Sequence, residues 1–137
     1  MATWSSPRPP PTRWLKRADW RSAARIYLKW LFFGPGCVEP AFTDCAFPRQ
    51  GEPRRSTLGY GDFDTLMNVL AKAVAKGPYI MGQQFTAADV VIGSTMRWGM
   101  MFNLLPKRPE FVNYAARLEK RPALQRATGL DQQLAAA

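Results

Sequence analysis

The feature that most constrains the fold is a capped segment that leads into an apolar helix, between Phe85 and Phe102. Thr86 can cap a helix through its hydroxyl, and Asp89, three residues on, can accept a hydrogen bond from the Thr86 backbone N–H. Phe85 and Val90 stand at the two positions of a hydrophobic staple. The helix that follows is apolar on nearly every face, with Val90, Val91, Ile92, Met96, Trp98, Met100, Met101 and Phe102. Such a helix is buried among other elements, so the sequence predicts a bundle with this helix at its centre.

Other segments show the apolar spacing or the start signals of helices. They are Asp19–Phe33, Phe63–Lys76, Pro109–Arg121 and a short helix from Pro122 toward Thr128. Gly34-Pro35-Gly36 is expected to end the first helix, and residues 42–61, rich in Gly, Pro and Arg, are expected to form a connection without regular structure. The chain of 137 residues is long enough for one compact domain. The prediction is an all-α bundle of about five helices.

The net charge of +9 is concentrated near the N-terminus. Residues 1–30 hold seven basic residues and one acidic residue, and residues 1–18 combine Arg with Pro7, Pro9, Pro10 and Pro11. We therefore expect residues 1–18 to be a disordered leader and residues 19–137 to be the helical domain. A basic nucleic-acid binder that uses the leader and the stripe of Arg21, Arg25 and Lys29 is one hypothesis. Aromatic and basic residues are not interleaved in a recognisable nucleic-acid motif, so we rank it last.

The composition excludes several kinds of site. The chain has no histidine, and Cys37 and Cys45 are its two cysteines. A closed zinc site of Cys and His ligands and every mechanism with an imidazole base are therefore excluded, and no metal site is expected. No apolar run is long enough to span a membrane, and no signal-peptide core precedes Tyr27, so we expect a cytoplasmic protein without a membrane partner.

Several motifs, in this order, resemble one known family. Gly77-Pro78-Tyr79 followed by Phe85-Thr86-Ala87-Ala88-Asp89 is similar to the loop and capped central helix of the C-terminal domain of glutathione S-transferases. Arg97-Trp98 resembles a pair on the same helix in bacterial beta-like members. Lys107-Arg108-Pro109-Glu110-Phe111 and Arg121-Pro122-Ala123 resemble the family's closing segments. The resemblance covers about residues 19–130.

The resemblance implies a role without catalysis by this chain alone. In full-length members a preceding thioredoxin-like domain binds the co-substrate glutathione and supplies the catalytic Ser, Tyr or Cys. We expect that half to be missing here, so no catalytic residue is carried over and no cofactor is bound by this chain alone. The helical domain lends one wall to the hydrophobic-substrate site, for which the candidates are Phe33, Cys37, Arg97 and Trp98. Gly34-Pro35-Gly36 stands where beta-like members often have a His-Lys pair.

Each candidate residue also has a structural interpretation. A capping box accounts fully for Thr86 and Asp89, and it predicts a loss of about 1 kcal/mol when either is replaced by Ala. Trp98 is more often a core residue than a ligand wall, and Cys37 and Cys45 are most often small buried residues.

Three functions remain open on the sequence. The first is a transferase-like module for electrophile detoxification, which acts with a thioredoxin-like domain from elsewhere or is the remnant of a truncated gene. The second is a protein-interaction module, including a homo-oligomer, and the third is the nucleic-acid binder. The sequence leaves open whether the leader is genuine or the product of a shifted reading frame.

Overall fold

The computed structural model describes residues 19–51 and 53–136, which fold into five helical segments. The first segment joins α1 (Asp19–Phe33), a π-helical turn (Gly34–Val38) and α2 (Glu39–Ala46), and the others are α3 (Phe63–Ala75), α4 (Ala87–Met101), α5 (Pro109–Glu119) and α6 (Pro122–Ala135). No β-strand occurs in this part of the chain, where Tyr79 and Gly82 form an isolated antiparallel bridge. The predicted all-α bundle of about five helices is confirmed. The predicted leader, residues 1–18, lies outside the described residues.

Helix α1 ends at Phe33, before Gly34-Pro35-Gly36, as predicted, but the chain continues as a π-helical turn into α2 and does not form a break. The Glu39 N–H donates to the Gly34 carbonyl, a π-type bond that carries the helix across the proline. Gly34 is buried against α4, where a Cβ atom would collide with Val91. Contact with α4 therefore holds this turn in place, although the local sequence favours a break.

The connection after α1 is also more regular than predicted. Residues 42–46 belong to α2, and Arg55–Thr57 form a short 3-10 turn. Tyr60 donates its hydroxyl to Asp44 at 2.6 Å, and Arg49 donates to the same carboxylate at 2.7 Å. These bonds lower the pKa of Asp44, the Arg49 bond first and the Tyr60 bond second. Side chains separated by up to sixteen residues thus hold the connection against α2.

Helix α4 occupies the centre of the bundle. It packs against α1, the π-helical turn and α5, while α5 also packs against α3 and α6. At Gly93 a Cβ atom would collide with Leu118, so the absence of a side chain lets α4 and α5 approach closely. The largest fully buried side chains are Tyr114, Phe111, Leu66, Met67, Leu70, Ile92, Met96, Leu105, Val38, Val74 and Asp89.

Helix α6 lies at the edge of the bundle and extends further than predicted. It continues past Thr128 to Ala135, and none of its residues is fully buried. Leu130 and Leu134 lie on its exposed distal half. None of the helices in the described part of the chain is long and apolar enough to cross a membrane.

Candidate functional site

The Asp89 carboxylate is a fully buried acceptor at the start of α4. Its Oδ2 accepts the Thr86 N–H at 2.8 Å, which is the Asp89 half of the predicted capping box, and the capping box is present. The same oxygen also accepts the Thr86 hydroxyl at 3.1 Å. Its Oδ1 accepts the Ile80 N–H at 2.7 Å and the Tyr114 hydroxyl at 2.7 Å. Four donors therefore satisfy the two side-chain oxygens of Asp89, and no ligand is needed as a further hydrogen-bond partner.

The same carboxylate joins three parts of the bundle. Ile80 belongs to the turn before α4, and Tyr114 lies on α5, so Asp89 ties both to the helix start. Burial first, and the bond to Asp89 second, raise the pKa of Tyr114 far above its ordinary value, which keeps its hydroxyl protonated as a donor. The sequence indicated the bond to Thr86, three residues away. The sequence contained no signal for the bonds from Ile80, nine residues before Asp89, and from Tyr114, twenty-five residues after it.

The predicted staple residues meet at a cavity. Val90 is 55% exposed, and both it and Phe85 line a cavity between α4 and α6. The Phe85 ring packs edge-on against Tyr79, with ring centroids 5.5 Å apart. The Arg121 guanidinium lies 3.4 Å from the Phe85 centroid. Phe85 therefore packs against the turn before α4 and against the residue that precedes α6.

Two of the predicted substrate-wall residues, Phe33 and Cys37, lie at the end of α1 and in the π-helical turn. The Phe33 ring packs edge-on against Trp30 at a centroid distance of 5.2 Å. The Cys37 Sγ lies 3.5 Å from the Gly59 carbonyl oxygen. Both side chains are partly buried against the core. The structure thus accounts for both residues by packing.

The other two predicted wall residues, Arg97 and Trp98, face different grooves. Successive helical residues are rotated by about 100°. Trp98 lines a groove with Glu39, Phe42, Ser94 and Thr95, and neither Phe33 nor Cys37 lines it. Arg97 lines the cavity on the α6 side and pairs with Glu119 at 3.3 Å. The four candidates are therefore not gathered around one groove.

Trp98 is exposed, contrary to the expectation that it is a core residue. Its side chain is 58% exposed and stacks at a tilt on Phe102, with centroids 5.4 Å apart. Met101 is 66% exposed and Phe102 57% exposed. We refer to Trp98, Met101 and Phe102 as the α4 apolar patch. Although α4 lies at the centre of the bundle, no described helix covers this patch. Its three large apolar side chains are therefore in contact with solvent.

The cysteines are not the buried residues that we expected. Cys45 is exposed, and Cys37 is intermediate in exposure. Partial desolvation first, and the Asp44 carboxylate second, raise the pKa of the Cys45 thiol. A raised pKa disfavours the nucleophilic thiolate. No group of three or more His, Cys, Asp and Glu side chains within residues 19–51 and 53–136 is placed to hold a metal ion.

The cavity between α4 and α6 was not predicted from the sequence. Its volume is about 260 Å³, and its walls are almost entirely apolar. Gly93, Ala123 and Ala127 leave space between the helices, and Arg97 and Arg121 also line it. Small residues at these positions indicate a cavity only when it is already known that α4 packs beside α6.

Comparison of the chain with protein-family models, with curated proteins and with solved structures found no match.

Proposed function

We propose that the chain is the helical domain of a glutathione S-transferase-like protein, which lends an apolar binding wall and depends on a partner thioredoxin-like domain for glutathione binding and catalysis. The ordered series of motifs from Gly77 to Ala123 supports the family proposal. The observation that carries the binding role is the α4 apolar patch on the central helix. Contiguous exposed apolar side chains are typical of surfaces that bind a ligand or a partner.

The proposed division of labour follows from the chemistry of glutathione transfer. The reaction requires a thiolate that hydrogen-bond donors stabilise. Among the described residues, the Asp44 carboxylate accepts the bonds that hold the connection, and the Tyr114 hydroxyl donates to Asp89. We therefore assign the thiolate to the partner domain and the wall for the electrophile to Trp98 and its groove.

The test of this proposal is a conjugation assay. The purified chain is mixed with glutathione and chlorodinitrobenzene, first alone and then with an isolated thioredoxin-like domain from a beta-like transferase. We expect the uncatalysed rate for the chain alone and a faster rate for the mixture. Trp98→Ala should remove the gain, whereas Val112→Ala, an exposed apolar residue on α5, should keep it. A monomeric preparation of the chain alone that exceeds the uncatalysed rate would overturn the division of labour.

The second candidate function is a protein-interaction module, and the α4 apolar patch favours it as well. Burial of apolar surface is favourable by roughly 25 cal/mol per Å², so a second copy or another protein gains by covering the patch. Light scattering at increasing protein concentration tests the homo-oligomer. We expect association that Met101→Ser weakens, and a strictly monomeric wild type at high concentration would contradict this candidate.

A cytoplasmic location remains part of the proposal.

The nucleic-acid hypothesis remains the third candidate function. Arg21, Arg25 and Lys29 are all exposed on α1, as their spacing predicted. Phosphate binding by such residues weakens steeply as salt rises. We expect weak binding that disappears when residues 1–18 are deleted. Tight binding by the shortened chain at physiological salt would reverse the ranking.

A further inference from the structure

The cavity between α4 and α6 and the groove beside Trp98 are different spaces, although Ser94 lines both. It lies where α4, the end of α5 and the first turns of α6 meet, and Phe85, Leu118 and Leu124 form its apolar walls. Its volume is about 260 Å³. That is slightly below the usual lower limit of about 300 Å³ for drug-sized ligands, so its ligand is small.

The interior of the cavity favours an apolar ligand body. Asp89 lines it, but the Asp89 oxygens already accept four hydrogen bonds. Ser94 also lines it, and its hydroxyl lies 2.7 Å from the Val90 carbonyl oxygen, to which it donates. An acceptor group on the ligand body would therefore lose its bonds to water without gaining a donor from Asp89 or Ser94.

The positive charge at the cavity comes from two arginines. The Arg97 charge is partly neutralised by Glu119, at 3.3 Å. Arg121 stacks on Phe85 and donates to the Tyr79 hydroxyl at 3.2 Å. Among the described residues, no carboxylate forms an ion pair with Arg121. A guanidinium has five N–H donors, so an anionic group on a ligand can pair with its edge.

We propose that this cavity is a binding site for a small apolar monocarboxylate, with an alkyl chain of about eight carbons or a phenyl ring on a short tail. The apolar body lies between Leu118 and Leu124, and the carboxylate pairs with Arg121. Stacking on Phe85 keeps the guanidinium in one orientation, which lowers the entropy cost of that pairing. The site does not depend on glutathione transfer, because no residue of the α4 apolar patch lines it. Of the four predicted wall residues, Arg97 lines it.

Octanoate and octanol are the probes for this site, because they share a chain length and differ in charge. Calorimetric titration of the full chain should show that octanoate binds roughly tenfold more tightly than octanol, the usual gain from a charge-assisted hydrogen bond. Arg121→Gln should remove this preference. Arg126→Gln removes the same charge from an α6 residue that does not line the cavity, and should leave the preference intact. Equal affinities for the two probes, or an equal loss in both variants, would overturn the role of Arg121.

A second pair of variants tests the location. Ala127→Leu fills the cavity from an exposed position on α6, so we expect it to abolish binding of both probes while the helical circular dichroism is retained. Ala123→Leu fills the cavity from the preceding turn and serves the same purpose if the first variant does not fold. Trp98→Ala should bind octanoate like the wild type. Wild-type protein without saturable octanoate binding, or a folded cavity-filling variant that still binds, would refute the site.

Discussion

The buried Asp89 carboxylate makes the sharpest stability prediction. Replacement of Asp89 by Ala removes the acceptor for the Ile80 N–H, the Thr86 N–H and the Tyr114 hydroxyl. Each buried donor left without a partner costs about 1–3 kcal/mol, with the partly buried Thr86 at the low end. We expect the free energy of unfolding to fall by about 4 kcal/mol. Such a loss is about a quarter to four fifths of the marginal stability of a typical domain, about 5–15 kcal/mol.

Two further variants separate the local cap from the long-range bonds. Thr86→Ala keeps the Asp89 carboxylate and its bonds to Ile80 and Tyr114, so it should cost only about 1 kcal/mol, as a cap does. Asp89→Asn keeps the shape but replaces one acceptor oxygen by a donor, and should cost about 2 kcal/mol. On the sequence alone we expected comparable losses of stability for the two Ala variants. The structure predicts a clear difference.

Urea denaturation followed by circular dichroism measures these losses. Asp131→Asn removes an exposed carboxylate on α6 and is the matched control, with an expected change within about 0.5 kcal/mol. If Asp89→Ala destabilised the protein by no more than Thr86→Ala, the bonds to Ile80 and Tyr114 would contribute nothing measurable, and the interpretation of Asp89 as a long-range tie would be wrong.

Two other predictions test the packing and the connection. Gly93→Ala should lower the free energy of unfolding by about 1–3 kcal/mol, because its methyl group enters space that α5 occupies. Gly129→Ala places a methyl group in open space on α6 and should stabilise the protein by about 0.5–1 kcal/mol. Denaturation midpoints of the two variants check both values. Arg49 and Tyr60 lower the pKa of Asp44 in the folded protein. Their bonds to Asp44 therefore stabilise the fold at a pH above the pKa of Asp44 in the unfolded chain, near 3.8. This stabilisation is lost as the pH falls through the lower pKa of Asp44 in the folded protein. Asp44→Asn should therefore be less stable than the wild type at neutral pH, and the difference should disappear in acid; a difference that persisted at the lowest pH would contradict this assignment.

The sequence predicted the elements whose signals are local. The spacing of apolar residues predicted α1 and α3 closely, and Pro109 and Pro122 marked the starts of α5 and α6. Each signal acts within a few turns of one helix, where hydrogen bonding and side-chain spacing are set by neighbouring residues. The candidate site was less predictable, because a groove or cavity is made by residues from several helices.

The sequence by itself determined that the protein is helical and that Thr86 and Asp89 begin its central helix. Tertiary structure decided that the chain remains helical through Pro35, since packing against α4 outweighs the local tendency to break. It also decided that Trp98 is exposed and that Arg121 lies at a cavity, because both facts depend on which helices are neighbours. Periodicity shows which face of a helix is apolar, but only the packed arrangement determines whether another helix covers that face.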